Sequence, residues 1–372
     1  MSTAVSAAAS DATAGPVMIM AGGTGGHVFP ALAVAKVLRE RGIAVVWLGS
    51  AGGMESRLVP ANGFALEKVD VAGLRGKGLL SWLRAPFRLL GAVNQARAII
   101  KRVRPRVVLG AGGFASGPGG IAARLARIPL LVHEQNAVAG LTNRILARVA
   151  TQVFEAFPGS FGAGVRAICI GNPVRADIAA LPPPTLRFAS RQGPVRLLVL
   201  GGSQGAQRLN ALLPQALARI ALPQRPQVRH QAGERGVDAT RHAYALSGVE
   251  ADVFAFIEDL AAAYEWPDLA VCRAGALTIT ELQAAGLAAV LVPFPAAVDD
   301  HQTRNAEVMV SIGAARLVQE RDLNADSLSR LIEELSSDRA RLLQMAQAAR
   351  GAAITDAASR LADSCLAAGA FA

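Results

Sequence analysis

The segment Gly22-Gly23-Thr24-Gly25-Gly26-His27 sets a hydroxyl and an imidazole beside four glycines, directly after the apolar run Val17–Met20. Glycines let a backbone approach a ligand closely, and a helix starting there would offer free N–H groups to phosphate. The spacing is neither G-x-G-x-x-G nor a P-loop, which needs Lys-Ser/Thr. A tight strand–helix turn with no ligand is the plainer account. A histidine at this place can act as a general base at neutral pH, although His27 could equally cap the helix or bind phosphate.

Four further clusters carry polar groups in similar settings. Gly201-Gly202-Ser203-Gln204-Gly205 repeats the glycine turn after the strand-like Val195–Leu200; Ser203 could donate to an anion or simply cap the helix. The run from Gly275 to Glu281 follows Leu269–Cys272 and should open a helix whose donors could meet phosphate. Glu281 is then placed to accept from ribose hydroxyls, with a Thr/Glu capping box as the competing account. Asp299-Asp300-His301-Gln302, followed by Asn305, offers amides suited to sugar hydroxyls. It lacks a second ligand group at metal spacing. His133-Glu134-Gln135-Asn136 ends another strand, and glycines crowd 110–120 of the same half.

The elements that must position these residues alternate strand and helix. Strands are expected at Val17–Met20, Ala44–Leu48, Val107–Leu109, Leu130–His133, Gln152–Phe154 and Ile168–Ile170. A second set is expected at Val195–Leu200, Gln227–Gln231, Val253–Phe256, Leu269–Cys272, Ala289–Val292 and Ala315–Val318. Helical segments lie between most of them, which predicts an α/β protein of two Rossmann-like domains, each a parallel sheet flanked by helices, facing a cleft. With 372 residues, 52% hydrophobic and 18% charged, the chain suits two cores built from Ala, Val, Leu and Ile. We expect a loose tail over 1–16, a first domain over 17–175, a linker over 176–192 and a second domain over 193–354. The Pro-rich Leu181–Thr185 and polar Ser190–Pro194 mark the linker.

Three cysteines, far apart and without a C-x-x-C pair, fit neither a disulfide framework nor a zinc site. The first basic residue is Lys36, so a charged signal-peptide start is not expected, and the longest apolar stretch, Ala284 to Val298, is broken by Gly286, Pro293 and Pro295.

The formal charge of +10 points to an anionic partner. Nine basic residues and no acid lie between Arg75 and Arg106. Wound as a helix, Leu79–Leu90 puts Leu79, Leu80, Leu83, Phe87 and Leu90 on one arc, Trp82 at its edge, and Ser81, Arg84 and Arg88 opposite. Such a helix suits a membrane interface, with Pro86 expected to kink or interrupt it. A surface helix packed on its own domain is the alternative, and the scarcity of interleaved aromatics argues against nucleic acid.

Taken in order, GGTGGHVFPALAVA, GLRGKG, GAGGFASGPGG, HEQNAVAGLTNR, GNPVR, GGSQGAQRLN, CRAGALTITEL and DDHQTRNA resemble the MurG family, the UDP-N-acetylglucosamine–N-acetylmuramyl-(pentapeptide) pyrophosphoryl-undecaprenol N-acetylglucosamine transferases. They span Gly22 to Ala306. The resemblance implies a glycosyltransferase-B fold whose last helix, about 355–368, packs back on the first domain. It implies inverting transfer of N-acetylglucosamine from UDP-GlcNAc to the 4-hydroxyl of the undecaprenyl-pyrophosphoryl-MurNAc-pentapeptide (lipid I to lipid II). The setting implied is peptidoglycan synthesis, cell shape and cell division. His27 would be the base, with Glu134 second. Arg175 and Ser203 would contact the diphosphate, Ile257 the uracil, Ala276, Leu277, Thr278, Ile279 and Thr280 the nucleotide, and Glu281 the ribose. Gln302 and Asn305 would read the sugar, while Thr24, Gly25, Gly26 and Asn136 would face the donor sugar and acceptor.

Leu79, Leu80, Trp82, Leu83, Arg84, Phe87 and Arg88 would meet anionic lipid at the cytoplasmic face of the bacterial inner membrane, as a peripheral protein. UDP-GlcNAc enters as a donor substrate; no cofactor or metal is expected, nor is nucleic acid, and other cell-wall synthesis proteins are candidate partners. The competing readings are a same-fold UDP-sugar transferase or UDP-GlcNAc 2-epimerase-like enzyme with a soluble substrate, and a non-catalytic lipid-carrier or scaffold protein.

Overall fold

The computed structural model describes residues 15–71, 79–201, 206–297 and 300–370, with the backbone alone for 79–85. Arg75, Lys77, Ser203 and Asp299 therefore lie outside the described residues, as do the segment GLRGKG and most of the 1–16 tail. The chain divides into two compact units, one of residues 1–173 and 355–372, the other of Val174–Ile354.

In the first unit, strands β1 (Val17–Met20), β2 (Val45–Ser50), β3 (Ala65–Val69), β4 (Val107–Gly110), β5 (Leu130–Glu134), β6 (Gln152–Glu155) and β7 (Ile168–Cys169) form one sheet in the order β3-β2-β1-β4-β5-β6-β7. Every pairing is parallel. Helices α1 (Gly25–Glu40), α2 (Glu55–Ala61), α3 (Leu79–Val103), α4 (Ser116–Leu125) and α5 (Leu141–Ala147) connect them. The central strands are apolar on both faces because helices cover both faces. A Cβ on Gly119 of α4 would sit 2.3 Å from the Met20 sulfur, so glycine lets this helix lie against the sheet. Strand β3, ALEKV, has no counterpart among the sequence expectations. It is an edge strand, largely open to solvent, and carries no apolar run.

In the second unit, β8 (Arg196–Leu200), β9 (Gln227–Gln231), β10 (Asp252–Phe254), β11 (Leu269–Cys272), β12 (Ala288–Leu291) and β13 (Ala315–Leu317) are ordered β10-β9-β8-β11-β12-β13, again all parallel. Segment 176–192 is not a free linker. It carries α6 (Ala176–Ala179) and α7 (Pro184–Ala189), and buried Arg187 on α7 donates to the carbonyls of Tyr264, Ala285 and Gly286. Prolines at 182–184 start α7, since proline suits a first helical turn. The unit is completed by α8 (Gln207–Ala218), α9 (Val237–Leu246), α10 (Leu260–Glu265), α11 (Ala276–Ala285), α12 (His301–Ser311), α13 (Ala325–Ser336) and α14 (Arg339–Gly351).

The last helix, α15 (Ala357–Gly369), belongs to the first unit, where Leu361, Ala362 and Cys365 join the core cluster of Val17, Ile19 and Leu38. Of the two expected effects of Pro86, a kink or an interruption, the second does not occur: α3 runs on through it. Its two halves face different surroundings. Ala92, Val93, Ala96, Ile99 and Ile100 are buried, whereas Phe87 is 76% and Leu90 61% exposed. No helix among the described residues is long and apolar enough to cross a membrane.

Candidate active site

Chain order reverses across each sheet at one place, between β1 and β4 in the first unit and between β8 and β11 in the second. Open parallel α/β sheets bind ligands outside the carboxyl ends of the strands at such a reversal. The glycine-rich segments that follow β1 and β4, and Gly275 after β11, sit at these ends.

At the β1/β4 reversal, Gly22 and Gly23 leave β1, with Gly23 at φ +86°, and Thr24 precedes α1 in extended conformation. The Thr24 hydroxyl makes no cap bond to the helix and is exposed, so it is available to a ligand together with the N–H groups of Gly25 and Gly26. The loop after β4 presses on this turn. A Cβ on Gly113 would fall 2.5 Å from the Gly22 carbonyl oxygen, and one on Gly112 would fall 2.7 Å from His27 Nδ1. Backbone alone fits between the imidazole and the second loop.

His27 does not cap its helix; its Nδ1 lies 3.0 Å from Gln135 Oε1. Glu134 is buried and held differently from a free base. Oε1 accepts from the backbone and side-chain nitrogens of Asn136, at 2.9 and 3.1 Å. Oε2 accepts from Gly140 N at 3.1 Å and Asn143 Nδ2 at 2.8 Å. Four donors surround this carboxylate, which fixes Asn136 and the entry to α5.

Two positioning residues here have no role assigned from sequence: Glu55, and Gln135, which enters only within the cluster His133-Glu134-Gln135-Asn136. Buried Glu55, on α2, accepts from Gly23 N at 3.0 Å, Ser50 N at 2.9 Å and Ser50 Oγ at 2.6 Å. Burial opposes its charge, but the bonds from Ser50 and Gly23 outweigh it and hold the carboxyl below the ordinary range. The other is Gln135, the partner of His27 Nδ1.

At the β8/β11 reversal, Gly275 precedes α11 without a side-chain cap, so no capping box forms. The free helix-start donors are the N–H groups of Ala276, Leu277 and Thr278. Ile279 and Thr280 are not among them. Ile279 is fully buried and its N–H bonds Gly275 O, while the Thr280 hydroxyl bonds Ala276 O. Glu281 is buried beneath this start. Its Oε2 accepts from Tyr264 Oη at 3.0 Å, and its Oε1 is buried without a hydrogen-bond partner. Burial raises its pKa to about 7, opposed by the nearby Arg175 charge and the Tyr264 bond. Arg175, at the start of α6, belongs to the same cluster.

Gln302 and Asn305 both brace the loop between β11 and α11. Gln302 Oε1 accepts from Ala274 N at 3.2 Å and Phe294 N at 2.9 Å, and Asn305 Nδ2 donates to Ala274 O at 3.1 Å. Asn305 is fully buried and Gln302 is half-buried. Ile257 is half-buried between β10 and α10. Asp300 starts α12 and accepts from Thr303 Oγ1 at 2.7 Å. Among the described residues, no three His, Cys, Asp or Glu groups gather as metal ligands.

The model of the glycosyltransferase family 28 N-terminal domain matches residues 17–155, and that of the family 28 C-terminal domain matches 196–361. The chain belongs to glycosyltransferase family 28. Within family 28 it stands with the MurG enzymes. It is 58% identical over 351 residues to the UDP-N-acetylglucosamine–N-acetylmuramyl-(pentapeptide) pyrophosphoryl-undecaprenol N-acetylglucosamine transferase of Chromohalobacter salexigens, covering 94% of this chain and 96% of that one. The protein of the same name from Xylella fastidiosa is 56% identical, covering 94% of each. The crystal structure of MurG from Acinetobacter baumannii matches with a TM-score of 0.84 at 42% identity, over 95% of this chain and 99% of that one. A kitacinnamycin glycosyltransferase, at 20% identity and a TM-score of 0.68, shares the fold.

Proposed function

We propose that the protein transfers N-acetylglucosamine from UDP-GlcNAc to the muramyl 4-hydroxyl of an undecaprenyl-pyrophosphoryl-MurNAc-pentapeptide, converting lipid I to lipid II. The observation that carries this reading is Glu281. A buried carboxylate with one unpartnered oxygen, beside a free helix start, suits a ribose hydroxyl next to a diphosphate. The substrates are those in the names of its relatives at 54–58% identity.

The second unit binds the donor. The N–H groups of Ala276, Leu277 and Thr278 and the Arg175 guanidinium neutralise the diphosphate, joined by Ser203, and Ile257 packs on the uracil. Gln302 donates to the sugar. The first unit binds the acceptor with Thr24, Gly25, Gly26 and Asn136. In one inverting step the 4-hydroxyl oxygen attacks C1 of the α-linked donor, the C1–O bond to the diphosphate breaks, and UDP leaves. The hydroxyl proton passes to His27 Nε2. Glu134, with its oxygens occupied by four donors, positions Asn136 instead of acting as the base.

Phe87 and Leu90, exposed on α3 beside Arg88, favour a bilayer-lying helix over one packed on its own unit. A peripheral protein at the cytoplasmic face of the inner membrane fits that reading. The exposed pair also favours a lipid-linked acceptor over the soluble substrate of an epimerase-like enzyme.

The test mixes UDP-GlcNAc with a short-chain lipid-linked muramyl-pentapeptide and measures UDP. Acceptor-dependent release is expected; release no greater than without acceptor removes the catalytic reading and leaves the carrier or scaffold one.

A further inference from the structure

The hydrogen bonds around Gln135 leave one arrangement of protons. Gln135 Nε2 lies 2.9 Å from Ala111 O, which can only accept, so this corner of the amide is the NH₂ group and the other is the oxygen. His133 Nε2 lies 2.9 Å from Gly171 O, so it carries the hydrogen and His133 Nδ1 is bare. That bare nitrogen, 3.3 Å from Gln135 Nε2, and the His133 carbonyl oxygen, at 3.4 Å, share the second amide hydrogen. His133 is enclosed, and burial lowers its pKa to about 4, which keeps it neutral at pH 7. The Gln135 oxygen then faces His27 Nδ1 at 3.0 Å and can only accept from it.

The support extends one layer further. Asn172 Nδ2 donates to the Gln135 carbonyl at 3.0 Å, and Asn143 Nδ2 donates to the His133 carbonyl at 3.2 Å. Gln135 is 1% exposed and His133 1%, so neither amide nor ring can trade these partners for water.

We propose that Gln135, anchored by His133 and Ala111 O, is the positioning residue that fixes His27 as its Nδ1–H tautomer and leaves the Nε2 lone pair bare. Which imidazole nitrogen is bare is set by the bond the other makes. In catalytic triads a carboxylate does this and also stabilises the imidazolium. A neutral amide sets the tautomer without adding charge. The inference rests on the assignment of His27 as proton acceptor only for its catalytic consequence; the tautomer itself is a property of the protein alone.

The test is two-bond ¹H–¹⁵N correlation of protein labelled at histidine nitrogen, with His27 assigned from the spectrum of His27→Asn. The wild type should show a bare Nε2 and a protonated Nδ1 at a pH where the ring is neutral. A protonated Nε2 would overturn the proposal, whatever any variant does. Gln135→Met keeps length and apolar volume but removes the directed acceptor. With an unchanged circular dichroism spectrum, it should raise the Nε2–H population and lower kcat about 10-fold, with KM for UDP-GlcNAc within about 2-fold. An unaltered tautomer in a folded Gln135→Met protein also overturns the proposal. Should wild type show the Nδ1–H form while His27→Asn turns over normally, the tautomer assignment stands and the base is another group.

Discussion

The Glu55 carboxylate accepts the Gly23 N–H at 3.0 Å, so a residue 32 positions away on another helix holds the glycine turn that carries Thr24 and His27. Three glycines make room for it. A Cβ on Gly22, Gly49 or Gly53 would come within 2.4, 2.7 or 2.0 Å of the Glu55 side chain.

Glu55→Gln should therefore loosen the turn. An amide can face the Ser50 pair or Gly23 with its oxygen but not both, so one side meets N–H with NH₂. The expected loss is about 1–3 kcal/mol of unfolding free energy. The charge of Glu55 is favoured on folding, since its carboxyl sits below the ordinary range. Its contribution is thus present at neutral pH and lost as pH falls through the folded value. Thermal melts from pH 7 to pH 3 should show a shallower acid limb in Glu55→Gln than in wild type. Parallel curves would mean that the bond contributes nothing.

Glu281 titrates with the opposite sign. Burial raises its pKa to about 7, so the free protein loses stability as pH rises from the ordinary carboxylate range through 7, by roughly 3 kcal/mol at most. A ribose hydroxyl donating to Oε1 favours the ionised form. UDP-GlcNAc binding near pH 6.5 should then release protons, seen by calorimetry in buffers of different ionisation enthalpy. Glu281→Gln should abolish that release, and Glu281→Ala should weaken donor binding about 10- to 100-fold with a smaller effect on kcat. Buffer-independent binding heats in the wild type would remove the ribose assignment.

His27→Asn should lower kcat about 10²- to 10⁴-fold, the range for losing a general base, with donor KM little changed. Glu134→Ala should instead lower the melting temperature as well as turnover, because it strands the N–H groups of Asn136 and Gly140. A Glu134→Ala protein that melts normally and is inactive would return the base role to Glu134.

The alternation of strand and helix was legible because the strands β1, β2, β4, β5, β8, β11 and β12 carry apolar runs. Edge strand β3 was not, since half-exposed ALEKV carries no such run. The glycine turns and polar clusters marked the strand ends; the glycine turns follow strands at the order reversals, and the polar clusters follow β5 and β12 beside them. What single positions could not reveal was direction. Asn305 and Glu134 have the types of ligand-binding residues, yet Asn305 Nδ2 donates to the Ala274 carbonyl and Glu134 accepts from four donors of its own unit. Glu55 sits in an ordinary MESRLV helix start, and only three-dimensional closure shows Gly23 above it. The Pro-rich 181–185 looked like a linker because proline suits both linkers and helix starts.

Helix α3 changes its environment along its length, and that gives a membrane prediction. Its second half packs Ala96, Ile99 and Ile100 into the core, which fixes the helix, while Phe87 and Leu90 remain open beside Arg88. Each large apolar side chain transferred to lipid is worth about 1.5–3 kcal/mol, and one cation near an anionic surface about 1 kcal/mol. Phe87→Ser with Leu90→Ser should weaken co-sedimentation with anionic vesicles by about 100-fold. It should leave turnover of a water-soluble acceptor unchanged, because neither side chain supports the glycine turn. Arg88→Glu should act less strongly and lose its effect at high salt, where exposed charges are screened. Equal sedimentation of the double variant and wild type would assign the attachment to other surfaces, and an equal loss on soluble acceptor would show that the substitutions had damaged the first unit.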